Sequence, residues 1–237
     1  MKLRLLPVCI CVGLWLAGCE RIPLEGAPAN ASNVIIVGEH DRWQAGTHYE
    51  LVEPVAAMTA PSGNAKVVEF FWYGCPHCYT LDPHLVLWNR RKPQNIEFER
   101  VPTTWGPYDR PHARLFYTLE ALGRTDLHAA IFDTIHGKGN RLATEDESQT
   151  LRLQLEFAQQ HGIDEREFLD AYNSNAVAAR LKSAEELLRR YQVAKLPTLV
   201  VNGKYKTDVT RTGRSGEALM RLISDLSTNE ASMHAVK

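Results

Sequence analysis

The first apolar run, Leu5 to Ala17, is thirteen residues long. A bilayer core of ~30 Å needs about 20 helical residues, so this run is too short to span one. Further along, the pattern changes to segments that fit folded elements. "KVVEFFWY", Lys66 to Tyr73, is short, apolar and rich in β-formers, which predicts a buried strand. "IEFERVP", Ile96 to Pro102, alternates and predicts a second strand. Residues 111–192 are mostly helical in period. Thr144 and Glu147 have capping-box spacing ahead of "LRLQLEFAQQ", with Gly162 as a stop, and Asp164 and Glu167 repeat the signal ahead of "FLDAY". Leu181, Ala184, Leu188 and Tyr191 fall along one helical face. Strand pattern returns at "PTLVVNGKYKT", Pro197 to Thr207, where Asn202-Gly203 marks a hairpin. "SGEALMRLISDL", Ser215 to Leu226, predicts a last capped amphipathic helix.

Short strands around long helices predict an α/β or α+β sheet domain. The helical block is too long for a single crossover, so it reads as an inserted subdomain. The expected boundaries are a core from 46 to 108 beginning at "GTHYELVEP", an insertion over 109–190, the core's return over 191–228 and a flexible tail over 229–237. Residues 19–45, rich at first in Pro, Ala, Gly and Asn, read as a tether. Such a tether spans ~28 Å as a coil and reaches about 80 Å when extended.

Charge and cysteine content change this picture at the N-terminus. Lys+Arg 27 against Asp+Glu 28 offers no electrostatic case for nucleic acid. Lys2 and Arg4 ahead of the apolar run make residues 1–18 read as a secretory signal peptide. "LAGC", Leu16 to Cys19, resembles the bacterial lipobox, in which the cysteine is acylated and becomes the mature N-terminus. Cleavage there removes Lys2 and Arg4, moving the net charge from −1 to −3. It also removes Cys9 and Cys11 and commits Cys19 to lipid. Cys75 and Cys78 are then the only unmodified thiols, in an exported protein tethered to a membrane.

The pair sits in "FFWYGCPHCYTLDPH", Phe70 to His84. A bridge across two residues closes too small a loop to be a useful staple. With a strand ending near Tyr73 and a helix starting near Cys75, the first sulfur lies at a helix N-terminus, where free N–H groups and the helix dipole favour a thiolate. Pro76 fits the first turn, and His77 adds a donor or a positive charge. A stabilised thiolate makes the disulfide a better oxidant. Cys78, one turn in, is the resolving thiol. Metal binding is the chief rival, because Cys75, His77, Cys78 and His84 are suitable ligands by type. Structural zinc needs a second ligand pair, which the chain lacks, and His77 and His84 are expected on different sides of the helix. His112, His128, His136 and His161 read as surface or satisfied core residues. Glu69, a carboxylate inside "VVEFF", is either at a wet edge or a buried acid exchanging protons with Cys78. Pro197 opens a strand; a cis bond there would present the Leu196 backbone to the sulfurs.

"VVEFFWYGCPHCY", the long helical block and "VAKLPTLVVNGKY" together resemble the DsbA family, and "AGTHYELVEPV" is similar to that family's opening strand. The likeness runs from about residue 43 to 228. It implies a thioredoxin fold with an inserted helical subdomain, and thiol–disulfide oxidase activity without a cofactor or metal. It also implies an acidic first cysteine, for which this family is itself a reference case. The site residues implied are Cys75, Pro76, His77, Cys78, the acid Glu69 and a cis Pro197, with apolar surface at Trp72, Tyr73 and Leu196 for substrate. Thiol-bearing exported proteins and a DsbB-like, quinone-linked membrane reoxidase are the implied partners of a periplasmic monomer. Leu196 departs from the pattern, since many members carry Val or Thr there. Reductase or isomerase chemistry, or a metal-carrying lipoprotein, are the alternatives; the chain shows no separate dimerisation domain for an isomerase.

Overall fold

The apolar run around Glu69 becomes β2 (Ala65–Phe71), the strand on which the site is built. In the computed structural model, which describes residues 42–52 and 64–235 with side chains to 228, β2 lies parallel to β3 (Ile96–Pro102) and antiparallel to β4 (Thr198–Val201). A hairpin joins β4 to β5 (Tyr205–Thr207), and β5 pairs with a two-residue edge strand, β1 (Glu50–Leu51). The sheet order is β1-β5-β4-β2-β3. Asn202 and Gly203 turn the hairpin with φ of 52° and 67°, the left-handed conformation that this dipeptide tolerates best.

β2 is apolar on both sides because both sides are covered. One face, with Ala65 and Val67 beside Leu199 and Val201 of β4, packs under α1 (Pro76–Arg91) and α7 (Gly216–Ala235). The other, with Val68, Phe70 and Val200, meets the helical insertion. That insertion runs between β3 and β4 as α2 (Asp109–Ala121), α3 (His128–Phe132), one π-turn (Asp133–Gly137), α4 (Glu147–Gln160), α5 (Glu165–Tyr172) and α6 (Asn175–Arg190). The stripe Leu181, Ala184, Leu188 and Tyr191 is buried. The described residues fall in one compact unit, so the insertion packs as part of the domain.

The helix starts follow side-chain caps. Asp164 accepts from the Arg166 and Glu167 amides, Ser174 from Val177 and Ser215 from Ala218. The expected start of α4 is corrected: its cap is Asp146, whose carboxylate accepts from the Gln149 amide at 2.9 Å. Thr144 bonds the Asp146 backbone instead. A carboxylate two residues closer to the first turn takes the orphan N–H. Two boundaries also move. Trp43, placed in the tether, donates from its indole to Asp225 at 2.7 Å and packs against the α1–α7 core. The chain beyond Thr228, expected to fray, continues α7 to Ala235. The signal peptide, Cys19 and the tether through residue 41 lie outside the described residues.

Candidate active site

After β2 the chain turns over Trp72 to Cys75, closed by the Cys75 amide donating to the Trp72 carbonyl at 3.0 Å. Gly74 is required there: a Cβ on it would sit 2.3 Å from the Trp72 indole. The turn delivers Cys75 in an extended conformation as the N-cap residue of α1, with Pro76 the first helical residue. The Cys75 thiol is brought down to about 6 by the hydrogen bond from Cys78, working against burial, with the Cys78 and His77 amides and the His77 charge adding to it. Cys78 has no exposed surface, and burial, followed by its bond to Cys75, pushes its thiol well up. Cys75 keeps 8% exposure, so one sulfur is acidic and reachable and the other is basic and sealed. Both are free thiols in the structure. The Leu196–Pro197 peptide is cis, and the Leu196 carbonyl lies 4.0 Å from Cys75 Sγ.

Beneath the sulfurs lies a buried charge array. Glu69 is 2% exposed and stands in register with Arg100 across β2 and β3, so the wet-edge alternative for Glu69 is excluded. Arg100 donates through Nε to Glu69 at 3.0 Å and through Nη2 to Asp82 of α1 at 2.7 Å. Burial raises the Glu69 carboxyl to about 7, against the attraction of Arg100. For Asp82 burial also acts upward, but His128 and Arg100 together hold it below the usual carboxylate range. The pair therefore divides its roles: Asp82 stays ionised while Glu69 titrates near neutrality. Sequence reasoning missed Asp82, Arg100 and His128. One signal was available, since Asp82 stands four residues after Cys78 and so shares its inward helical face.

The predicted substrate surface is partly corrected. Tyr73 is 1% exposed, its ring enclosed by Phe71, Phe116 and Phe132, so its side chain offers no surface. Trp72 and Leu196 are half-buried. His77 and His84 were expected on different sides of α1. Seven residues are two helical turns, and both line one cleft of about 320 Å³ with Leu196, Pro197, Thr210 and Arg214. The His84 ring lies over Gly216, where a Cβ would come within 2.6 Å. Among the described residues no three His, Cys, Asp or Glu side chains converge as a metal-ligand set. None of their helices is long and apolar enough to cross a membrane.

A sheet of this order, with an acidic CxxC cysteine opening the helix after the interior strand β2 and a cis-proline beside it, defines a thioredoxin-fold thiol–disulfide oxidoreductase. Residues 96–219 match the DSBA-like thioredoxin domain, a match that starts after the CPHC and so is independent of it. The chain is 38% identical over 202 residues to the thiol:disulfide interchange protein DsbA of Pseudomonas aeruginosa, covering 84% of this chain and 92% of that protein. It is 42% identical over 161 residues to the Azotobacter vinelandii protein of the same name, covering 68% and 72%. The crystal structure of Pseudomonas aeruginosa DsbA superposes with a TM-score of 0.75 at 36% identity, covering 83% of this chain and 98% of that one. The chain belongs to the DsbA family.

Proposed function

We propose that this protein introduces disulfide bonds into exported proteins through Cys75 and Cys78. The observation that carries the direction of reaction is the contrast between the two sulfurs. Stabilising the Cys75 thiolate stabilises the reduced enzyme, which makes its disulfide oxidising. A substrate thiolate attacks Cys75 Sγ, the Cys75–Cys78 bond breaks, and its electron pair goes to Cys78 Sγ. That sulfur is buried and basic, so it takes a proton, for which Glu69 is the nearby acid. A second substrate thiolate then attacks the substrate sulfur of the mixed disulfide, and Cys75 leaves as a thiolate. The substrate loses two electrons and two protons: the enzyme keeps both electrons and one proton, on Cys78, and the other proton goes to solvent because Cys75 stays ionised.

The cleft beside Pro197, with Trp72 and Leu196 at the sulfur, is the proposed seat of the substrate peptide. A DsbB-like quinone-linked membrane protein is the proposed reoxidant. We place the protein in the periplasm with a lipid anchor on the strength of "LAGC" and the run before it, and propose that it works as a monomer. Equilibration with glutathione tests the oxidase reading. The expected outcome is a potential well above the roughly −270 mV of thioredoxin; a value as low as that would make the protein a reductase. Cys75→Ser is expected to abolish oxidation of a reduced protein substrate, and a variant that still oxidised it would remove the dithiol from the mechanism.

A further inference from the structure

The helical insertion does more at this site than cover the sheet. Three of its histidines reach the first two residues of the redox turn, Trp72 and Tyr73. His112 of α2 accepts the Trp72 indole N–H at Nδ1, 2.9 Å. Its Nε2 lies 2.7 Å from the Arg141 carbonyl. The indole only donates and the carbonyl only accepts, so His112 is neutral with its proton on Nε2. His128 of α3 meets the Tyr73 hydroxyl at Nδ1, 2.9 Å, while its Nε2 edge faces Asp82 at 3.3 Å. His136, in the π-turn, lies with Nε2 2.8 Å from the Tyr73 carbonyl, to which it donates. The same ring stacks on Tyr79, the residue after Cys78, with centroids 4.8 Å apart and planes 5° from parallel. Asp133, the first residue of the π-turn, accepts from the Tyr79 hydroxyl at 3.1 Å.

We propose that the insertion positions the dithiol, and that the π-turn Asp133–Gly137 is the part that does so from both flanks of the CPHC. The Tyr73 carbonyl stands two residues before Cys75, inside the turn that sets the N-cap. Fixing that peptide plane fixes where Cys75 Sγ sits relative to the His77 and Cys78 amides that hold its thiolate. The Lys138 amide closes the turn on the Asp133 carbonyl at 3.0 Å, five residues back. Single wide turns of this type recur at functional sites. His136 is a positioning residue: it touches neither sulfur and acts through Tyr73 and Tyr79.

The proposal rests on the dithiol reading and is tested by thiolate titration and glutathione equilibration of four variants beside the wild type. His136→Ala removes donor and ring. His136→Phe keeps the ring on Tyr79 but not the donor. His136→Gln restores an N–H near the position of Nε2. Ser174→Ala, which removes the N-cap of α6 and touches neither Tyr73 nor Tyr79, controls for lost stability alone. The Ala and Phe variants are expected to hold at least about threefold less Cys75 thiolate at pH 6, with a matching shift toward the disulfide in glutathione. Gln is expected to recover most of that loss, and Ser174→Ala to melt earlier with thiolate and equilibrium unchanged. Wild-type titration and equilibrium in His136→Phe would overturn the proposal, as would equal shifts in Ser174→Ala. A wild-type pair that did not exchange with glutathione would instead overturn the dithiol reading itself.

Discussion

Cys75 and Cys78 are one helical turn apart, and that turn separates a helix N-terminus from a sealed interior. The contrast has a measurable signature. Above about pH 6 the reduced enzyme carries a Cys75 thiolate, so two electrons arrive with one proton instead of two. The potential is therefore expected to fall by about 59 mV per pH unit in acid and by about 30 mV above the Cys75 titration. A single slope through pH 6 would show that Cys75 is not acidic. The same shift adds stability to the reduced form above the thiol's ordinary range, and this is lost as pH falls through 6. Glu69→Gln is expected to slow the formation of the mixed disulfide by about tenfold or more near pH 7, measured by stopped-flow with a model thiol, because the leaving Cys78 loses its proton donor. The cysteine pair and Glu69 stood out in their local patterns, whereas Pro197 is unremarkable at a strand start and drew notice through the family resemblance. Asp82, Arg100 and His128 were not. Arg100 and Glu69 meet only through the β2–β3 register, and His128 meets Asp82 only through packing of the insertion on α1.

At the scale of elements, the strand–helix order followed from hydrophobic period, and the caps of α5 and α7 from single residues. The cap of α4 did not, because Thr144, Asp146 and Ser148 all stand near its start and only geometry chooses between them. β1 was similar to a family strand in sequence yet pairs over only two residues. The redox turn between β2 and α1 is the connection with least freedom. Gly74→Ala is expected to expel the Trp72 indole from its place over the turn, break its bond to His112 and cost about 1–3 kcal/mol. Urea denaturation would measure this, and an unchanged midpoint would mean that the indole has another resting place.

Across the whole molecule, two buried histidines tie the insertion to the redox turn in their neutral forms. Burial lowers His112 and His128 to about 4. The unfolded chain binds protons on both as pH falls below 6.5, while the folded chain resists until about 4. Each therefore leaves the fold unpenalised at neutral pH and weakens it progressively as pH falls across that window, because the unfolded chain takes up the proton first. Glu69 opposes them. Its folded value of about 7 lies above its unfolded 4.5, so its contribution is present in acid and lost as pH rises through 7. Two groups outweigh one, so net stability is expected to drop between pH 6.5 and 4, and Glu69→Gln is expected to steepen that drop. Urea midpoints across this range, for both proteins, check the sign. The complete burial of Cys78 has a kinetic consequence as well. Only Cys75 can be met from outside, so substrate and reoxidant must use the same sulfur in turn. Steady-state turnover is therefore expected to be ping-pong, with parallel double-reciprocal lines and each partner inhibiting at high concentration by occupying the form of the enzyme meant for the other.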